Sequence, residues 1–444
     1  MSQIVGQYFS VKDGALCIGG VPVAQIADKF GTPAFVYDQG ILEAKLNALR
    51  STLPRSFQIS YSVKANPAQE ILKFFTDREC GLEIASSGEL EQALAASCPA
   101  DRVIFAGPGK TVAELELALQ NGVKEIHVES TLELERIHDL CQRHSWHADI
   151  ALRVNPSAEA QGGAMRMGGK PAPFGIDEEC IEPVVEQVLK DPYMTFRGIH
   201  LFTGTQILGH QILITQYRKA IEIARRIGKK FGCPIHTVDF GGGLGIPYFP
   251  GEKALDLDQL RSGLELLSRE LESDKTFAAT EFMVEPGRFL VGECGVYVTR
   301  INDIKISRGK KFLVLDGGMN HHLAASGNLG QTIKRNYPVA LLNKISMPAV
   351  ESVEVVGPLC TPLDTLARNV SLPEPAVGDL FGIFQSGAYA RSASPLGFLS
   401  HRTPPEILVS AGNTFLVRNR GENSSYLQDQ RGAQVAQGKT GNRS

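Results

Sequence analysis

A lysine ends the apolar run F-Q-I-S-Y-S-V-K (57–64), where desolvation is expected to depress the pKa of Lys64 and free its amine to attack an aldehyde. Further along, D-F-G-G-G-L-G (239–245) lies between a strand-like and a helical stretch. Gly241, Gly242 and Gly243 can there present backbone N–H groups to a phosphate at a helix N-terminus. Glu285 and Arg288 follow in E-P-G-R (285–288). The arginine completes a phosphate cup, and the glutamate can keep a pyridine nitrogen protonated, which turns an aromatic ring into an electron sink for a carbanion. Singly, each feature has an ordinary alternative: a surface lysine at a strand end, glycines in a tight turn, a Glu285–Arg288 ion pair across the turn. Cys360 in G-P-L-C-T-P-L-D (357–364) and Tyr389 in S-G-A-Y-A (386–390) lie in turn-rich segments. A lone cysteine is usually a small buried hydrophobe, so Cys360 draws attention only in combination with the rest.

These groups need a scaffold that gathers them from distant points in the chain. Short β-rich runs alternate with helical stretches from residue 57: 57–64, 81–86, 102–107, 125–130, 149–156, 196–204, 236–243 and 281–288. Amphipathic segments such as 68–77, 88–96, 112–120 and 132–143 fill the gaps. Eight such units imply an α/β fold, a (β/α)8 barrel, whose active site lies at the C-terminal ends of the strands. Lys64, Gly241 to Gly243, Glu285 and Arg288 all fall at such ends. After Arg288 the texture changes to β-rich runs at 295–301, 311–318, 351–357, 379–384 and 406–409, which read as a second, β-rich domain of barrel or sandwich type. The expected organisation is residues 1–40 contributing strands to that domain, a barrel over 41–290, the β domain over 291–420, and a disordered polar tail over 421–444.

The composition narrows the partners. A chain of 444 residues exceeds the roughly 250–300 at which a single core stops growing, in keeping with two domains. A net charge of -3, with no basic run, gives no field for nucleic acid or an anionic membrane, so small molecules or proteins are the expected partners. No apolar stretch approaches the roughly 20 residues of a membrane helix, and the N-terminus lacks the pattern of a secretory leader, which makes a cytoplasmic location the expectation. Eight scattered cysteines form no C-x-x-C and the histidines no H-x-x-x-H, so neither a disulfide framework nor a metal site is expected. Adjacent His321 and His322 would point to opposite faces of a strand. The glycine-rich segment 157–173 reads either as a mobile loop near the substrate mouth or as a plain surface connection.

Taken in order, these motifs resemble the fold-type III pyridoxal-phosphate decarboxylases, the family of diaminopimelate, ornithine and arginine decarboxylases, over roughly residues 20 to 410. The resemblance implies pyridoxal 5'-phosphate as cofactor, with Lys64 of Y-S-V-K-A-N-P (61–67) holding it as a Schiff base. It further implies that Gly241, Gly242, Gly243 and Arg288 bind the phosphate with Thr205 and Tyr389. Glu285 pairs with the pyridine nitrogen, and Glu83 and Arg153 lie near the imine and the ring oxygen. It also implies a homodimer with shared active sites, in which Cys360 and Asp364 come from the other subunit and Cys360 returns a proton to the carbon that CO2 leaves.

Two departures stand out. Where the family has a string like H-x-H-x-G-S, this chain reads His200-Leu201-Phe202-Thr203-Gly204-Thr205, so Phe202 takes the place of the histidine that stacks on the ring. Diaminopimelate and ornithine decarboxylases follow the cysteine with Glu or Asp to receive a distal ammonium; here Thr361-Pro362 follow, which disfavours a basic substrate tail. The strings G-P-G-K-T (107–111), D-G-G-M-N-H-H (316–322) and R-N-Y-P (335–338), with Arg335 and Tyr337 as substrate contacts, resemble a specialised-metabolism branch. That branch contains the butirosin-pathway glutamyl-carrier-protein decarboxylase, and its substrates are acyl conjugates, either small or borne on an acyl carrier protein. Plain diaminopimelate decarboxylation is the alternative. Racemisation is disfavoured because Glu285 stands where racemases place an arginine, and an inactive partner-binding homologue because Lys64, Glu285, Arg288 and Cys360 are all present.

Overall fold

The computed structural model describes residues 2–157, 165–166 and 171–430. Eight parallel strands form a closed barrel: β1 (Phe57–Ser62), β2 (Gly81–Ile84), β3 (Val103–Phe105), β4 (Glu125–Val128), β5 (Ala148–Asn155), β6 (Met194–His200), β7 (Thr237–Asp239) and β8 (Glu281–Val284). Each pairs with its neighbour in sequence, and β8 closes on β1 with Phe282 opposite Phe57. The strands are rich in Val, Ile, Leu and Phe without strict alternation, because barrel strands are covered on both faces.

The helices between them begin where the strand ends supply a cap. Ser86 accepts from the Glu89 amide, Ser130 from the Glu133 amide, and Thr111 forms a reciprocal capping box with Glu114. The chain therefore turns sharply at the C-terminal mouth of the barrel and leaves the residues at that turn facing the opening. Helix Gln69–Thr76 shows the other half of the pattern, burying Ile71, Leu72, Phe74 and Phe75 against the strands.

The second domain is a mixed sheet of nine strands. Gly295–Ser307 runs through its middle, paired antiparallel with Lys310–Leu315, Leu380–Ile383 and Ala34–Asp38. Ala34–Asp38 comes from ahead of the barrel, and alternate residues divide it between two cores: Phe35 and Tyr37 join the larger core that includes the barrel, while Ala34 and Val36 join a smaller one with Val296, Val298 and Ile407. Ala15–Ile18 instead forms a small three-stranded sheet with Ser10–Lys12 and Val21–Pro22. Strands Val339–Leu341, Thr365–Leu372 and Asn413–Arg418 are additions to those read from the sequence.

The tail expected from Gly421 begins with structure. Asn423–Leu427 forms a short helix held by Tyr426, whose hydroxyl contacts the carbonyls of Leu396 at 3.0 Å and His401 at 2.5 Å, so one amphipathic side chain anchors an otherwise polar segment. Residues 431–444 lie outside the described residues. So does most of the glycine-rich segment 157–173, of which Met165–Arg166 pairs antiparallel with Gly204–Thr205.

Candidate active site

A cavity of about 310 Å3 opens at the C-terminal mouth of the barrel. It is lined by Lys64, Glu83, Arg153, His200, Phe202, Thr205, Gly242, Gly243, Glu285, Arg288 and Tyr389, side chains that come from both domains. Lys64 is in the single turn Val63–Ala65 that follows β1. Its Nζ lies 3.0 Å from both carboxylate oxygens of Glu83 on β2, and Ser62 Oγ donates to the same carboxylate. The expected depression of the Lys64 pKa is thereby reversed. Burial pulls the ammonium down, but the negative charge of Glu83, helped by Tyr389 and Glu285, outweighs it and holds the pKa above the ordinary lysine value. Glu83 in turn stays below the usual carboxylate range: burial raises it, and Lys64, Ser62 and Arg153 more than compensate.

The glycine run is fixed between strand ends. The Gly241 amide donates to Asp239 Oδ1 and the Glu285 amide donates to the Gly241 carbonyl. A Cβ on Gly242 would lie 2.5 Å from the Glu285 carbonyl oxygen, and Gly243 has φ +101° with the Gly204 carbonyl 2.7 Å from any Cβ. The run does not open a helix as expected: the next helix starts at Leu257, capped by Asp256, because residues 246–256 loop out first. Its contribution to anion binding is therefore local backbone, without a helix dipole.

Arg288 donates to Tyr248 Oη at 2.9 Å, and its guanidinium lies 4.7 Å from the Tyr389 ring centroid. Glu285 is almost wholly buried. Burial, with the nearby Asp239 and Glu83, drives its pKa well above the carboxylate range. His200 Nε2 is 3.6 Å from Glu285 Oε2, and burial with surrounding positive charge holds His200 well below the imidazole range. Arg153 donates to Glu129 Oε1 at 2.6 Å and its guanidinium lies 5.1 Å from the Phe174 ring. Sequence reasoning passed over Ser62, Phe174 and Tyr248. Tyr248 follows the glycine run closely, but nothing in its local pattern announces that it meets Arg288.

The remaining expected site residues do not line this cavity. Cys360 is exposed on the β domain. Asp364, expected to reach a substrate, is buried with its carboxylate accepting from the amides of Met319 at 2.7 Å and Leu359 at 2.9 Å, so it braces the loop rather than presenting a free charge. Arg335 lies 3.3 Å from Glu252 and over the Phe249 ring, while Tyr337 packs on Tyr248. Within one chain, neither the acid expected at Cys360 nor a substrate contact from Thr361 reaches Lys64's cavity. His321 and His322 lie in a turn, not on a strand, and are engaged separately by Tyr297 and Ser386.

The cavity suits a phosphorylated pyridine aldehyde. Glu285 Oε1 and Arg288 Nε are buried without a partner among the described residues, which leaves an acceptor for a protonated ring nitrogen and a donor for a phosphate. The glycine run packs so closely on Phe202, Glu285 and Gly204 that no Cβ fits there, and Gly242 and Gly243 line the cavity with backbone alone. Lys64 provides the amine.

Comparison with known proteins points the same way. Residues 39–292 match the family model for the pyridoxal binding domain of pyridoxal-dependent decarboxylases. The chain is 38% identical over 402 residues to the L-glutamyl-[BtrI acyl-carrier protein] decarboxylase of Niallia circulans, covering 90% of this chain and 94% of that protein. It is 32% identical over 384 residues to the 2-[(L-alanin-3-ylcarbamoyl)methyl]-2-hydroxybutanedioate decarboxylase of Staphylococcus aureus, covering 85% and 94%. Among solved structures, diaminopimelate decarboxylase from M. jannaschii superposes with a TM-score of 0.87 at 26% identity, covering 96% of this chain and 98% of that one.

Proposed function

The chain belongs to the pyridoxal-dependent decarboxylases, and on that premise we propose that its substrate is an amino acid whose far end is an acyl conjugate, such as a glutamyl thioester on a carrier protein. The observation that carries this reading is the Cys360 loop, which offers no free carboxylate. Thr361 stands where relatives acting on diamino acids carry Glu or Asp, and the Asp364 carboxylate is taken up by two backbone amides. An ammonium buried against that loop would lack a counter-charge, at a cost of several kcal/mol. The relatives named for a carrier-bound glutamyl group and for a carbamoyl conjugate support the same direction.

Pyridoxal 5'-phosphate, when bound, supplies the sink for the electron pair left as CO2 departs. The residues divide the remaining work. Lys64 anchors the cofactor. Gly241, Gly242, Gly243, Arg288, Thr205 and Tyr389 hold its phosphate. Glu285 would face the ring nitrogen and offset its own burial by pairing with a cation. Phe202, which lines the cavity, would pack on the ring. Glu83, already 3.0 Å from Lys64 Nζ, orients the amine. Because Cys360 is exposed and does not line its own chain's cavity, the reading includes a homodimer in which Cys360 Sγ of one subunit protonates the α-carbon in the other.

The test is CO2 release by the pyridoxal-phosphate-loaded protein offered meso-diaminopimelate, ornithine and lysine beside a glutamyl carrier-protein thioester. Turnover of the thioester alone is expected. Turnover of free diaminopimelate would instead place the enzyme with its structural neighbours and overturn the argument from Thr361.

A further inference from the structure

Behind Glu285, polar groups continue down the inside of the barrel. His200 Nδ1 and His127 Nδ1 are 3.0 Å apart, His127 Nε2 lies 3.6 Å from Glu125 Oε2, and Glu125 Oε1 accepts from Thr237 Oγ1 at 2.6 Å. The line thus runs Glu285, His200, His127, Glu125, from the C-terminal ends of β6 and β8 to the opposite end, where Glu125 begins β4 and Thr237 begins β7. None of the four side chains is more than 5% exposed. His200 Nε2, His127 Nε2, Glu125 Oε2 and Glu285 Oε1 are buried with no hydrogen-bond partner among the described residues. Burying that many polar atoms is costly unless they trade protons with one another or with a ligand.

We propose that these four groups form a proton line that moves a negative charge between Glu125 at the barrel floor and Glu285 in the site. Without a cation in the site, protons sit on a Glu285 oxygen, His200 Nδ1 and His127 Nε2, and Glu125 is the anion. When the cofactor's ring cation is present, the Glu285 proton passes to His200 Nε2, that on His200 Nδ1 to His127 Nδ1, and that on His127 Nε2 to Glu125. Three protons move one place each, both imidazoles stay neutral, and one unit of charge crosses from Glu125 to Glu285. The two 3.6 Å gaps exceed hydrogen-bond length, so the imidazoles must shift by a few tenths of an ångström for transfer.

The surroundings favour the first arrangement in the cofactor-free protein. Burial, Asp239 and Glu83 push Glu285 up. Burial also pushes Glu125 up, but His127 and Thr237 outweigh it and hold Glu125 low. Other charges face the line: the Asp239 carboxylate hydrogen-bonds the Glu285 carboxyl and its Oδ2 is 3.8 Å from His127 Nδ1, and Arg197 Nε is 4.0 Å from Glu125. Lys110 donates to the His127 carbonyl; burial above all, then His127, Arg153, Lys64 and Lys110, keeps His200 neutral. His127 and Glu125 are positioning residues, acting on the cofactor through Glu285.

The inference rests on the reading of Glu285 as partner of the ring nitrogen. It is tested by infrared difference spectra of the full-length protein before and after addition of pyridoxal phosphate, with carboxyl bands assigned by E285Q and E125Q. Loss of the protonated Glu285 band with gain of a Glu125 band is expected in the wild type. In E125Q the gained band should vanish while the protein still takes up cofactor. A Glu285 band that does not bleach refutes the role of Glu285 and the line with it. Bleaching with no gained band, or a gained band that persists in E125Q and disappears in D239N, refutes the line alone. If E125Q fails to fold, D239N decides: a gained band that survives in D239N supports Glu125 as the acceptor, and one that is lost there refutes the line.

Discussion

The Lys64 ammonium is held symmetrically by the Glu83 carboxylate, with Nζ 3.0 Å from each oxygen. This pair fixes where the amine points and makes it a worse nucleophile at neutral pH than an isolated lysine, since the charged form is the one stabilised.

E83Q tests that relationship. With its folded pKa raised, Lys64 is neutral only at high pH, so the rate at which cofactor-free protein captures pyridoxal phosphate should climb about tenfold per pH unit across the neutral range. Removing the carboxylate lowers the Lys64 pKa, and the E83Q profile should shift to lower pH. Rapid-mixing absorbance from pH 6 to 10 gives both curves. Coincident profiles would show that Glu83 does not control the amine.

G242A tests the phosphate loop. The added Cβ meets the Glu285 carbonyl oxygen at 2.5 Å, and that atom is backbone, which has little room to yield. A displacement costing about 1–3 kcal/mol should weaken cofactor binding by about fivefold or more in an absorbance titration. Unchanged affinity would mean that the loop does not hold the phosphate closely.

E129A tests the brace behind Arg153. Glu129 Oε1 receives Arg153 and the Gly107 amide at 2.9 Å, and Oε2 receives the Gly175 amide at 2.9 Å, so one carboxylate ties together the ends of three strands. Truncation leaves a buried guanidinium and two amides unpaired, with an expected loss of about 3 kcal/mol in denaturant unfolding. Glutamine, which keeps one acceptor, should cost less.

E178Q addresses acid stability. Burial raises the Glu178 pKa, but the Ser157 amide and hydroxyl and the Lys219 ammonium outweigh it and bring it to about 2 from an ordinary 4.5. A depressed carboxylate stabilises the fold above its unfolded pKa and loses that contribution as pH falls from about 4.5 toward 2. After discounting for solvent screening the effect is about 1–2 kcal/mol. Wild type should lose stability faster than E178Q over that interval, as measured by urea unfolding at stepped pH.

Much of the fold could be read from local pattern. The eight strand runs, the helices over 69–76, 87–95, 112–121 and 131–144, and the β-rich texture after Arg288 all reflect period and composition, which short stretches of chain carry by themselves. Lys64, Gly241 to Gly243, Glu285 and Arg288 were legible for the same reason: barrel strand ends converge on one mouth whatever lies between them.

The tertiary structure decided what depends on neighbours distant in sequence. The direction of the Lys64 pKa turned on Glu83, 19 residues away, where local desolvation alone predicted the opposite. Asp364, which the resemblance implies serves a shared site, instead has its carboxylate occupied by the backbone amide of Met319, 45 residues away. Tyr248 joined the site only because the loop after the glycine run folds back over Arg288. The buried line from Glu285 to Glu125 joins residues 160 apart in the chain through contacts of 3.6, 3.0 and 3.6 Å in the barrel interior. Sequence period specifies which elements form; electrostatics falls off with distance in space, so only the assembled barrel specifies what each charge meets.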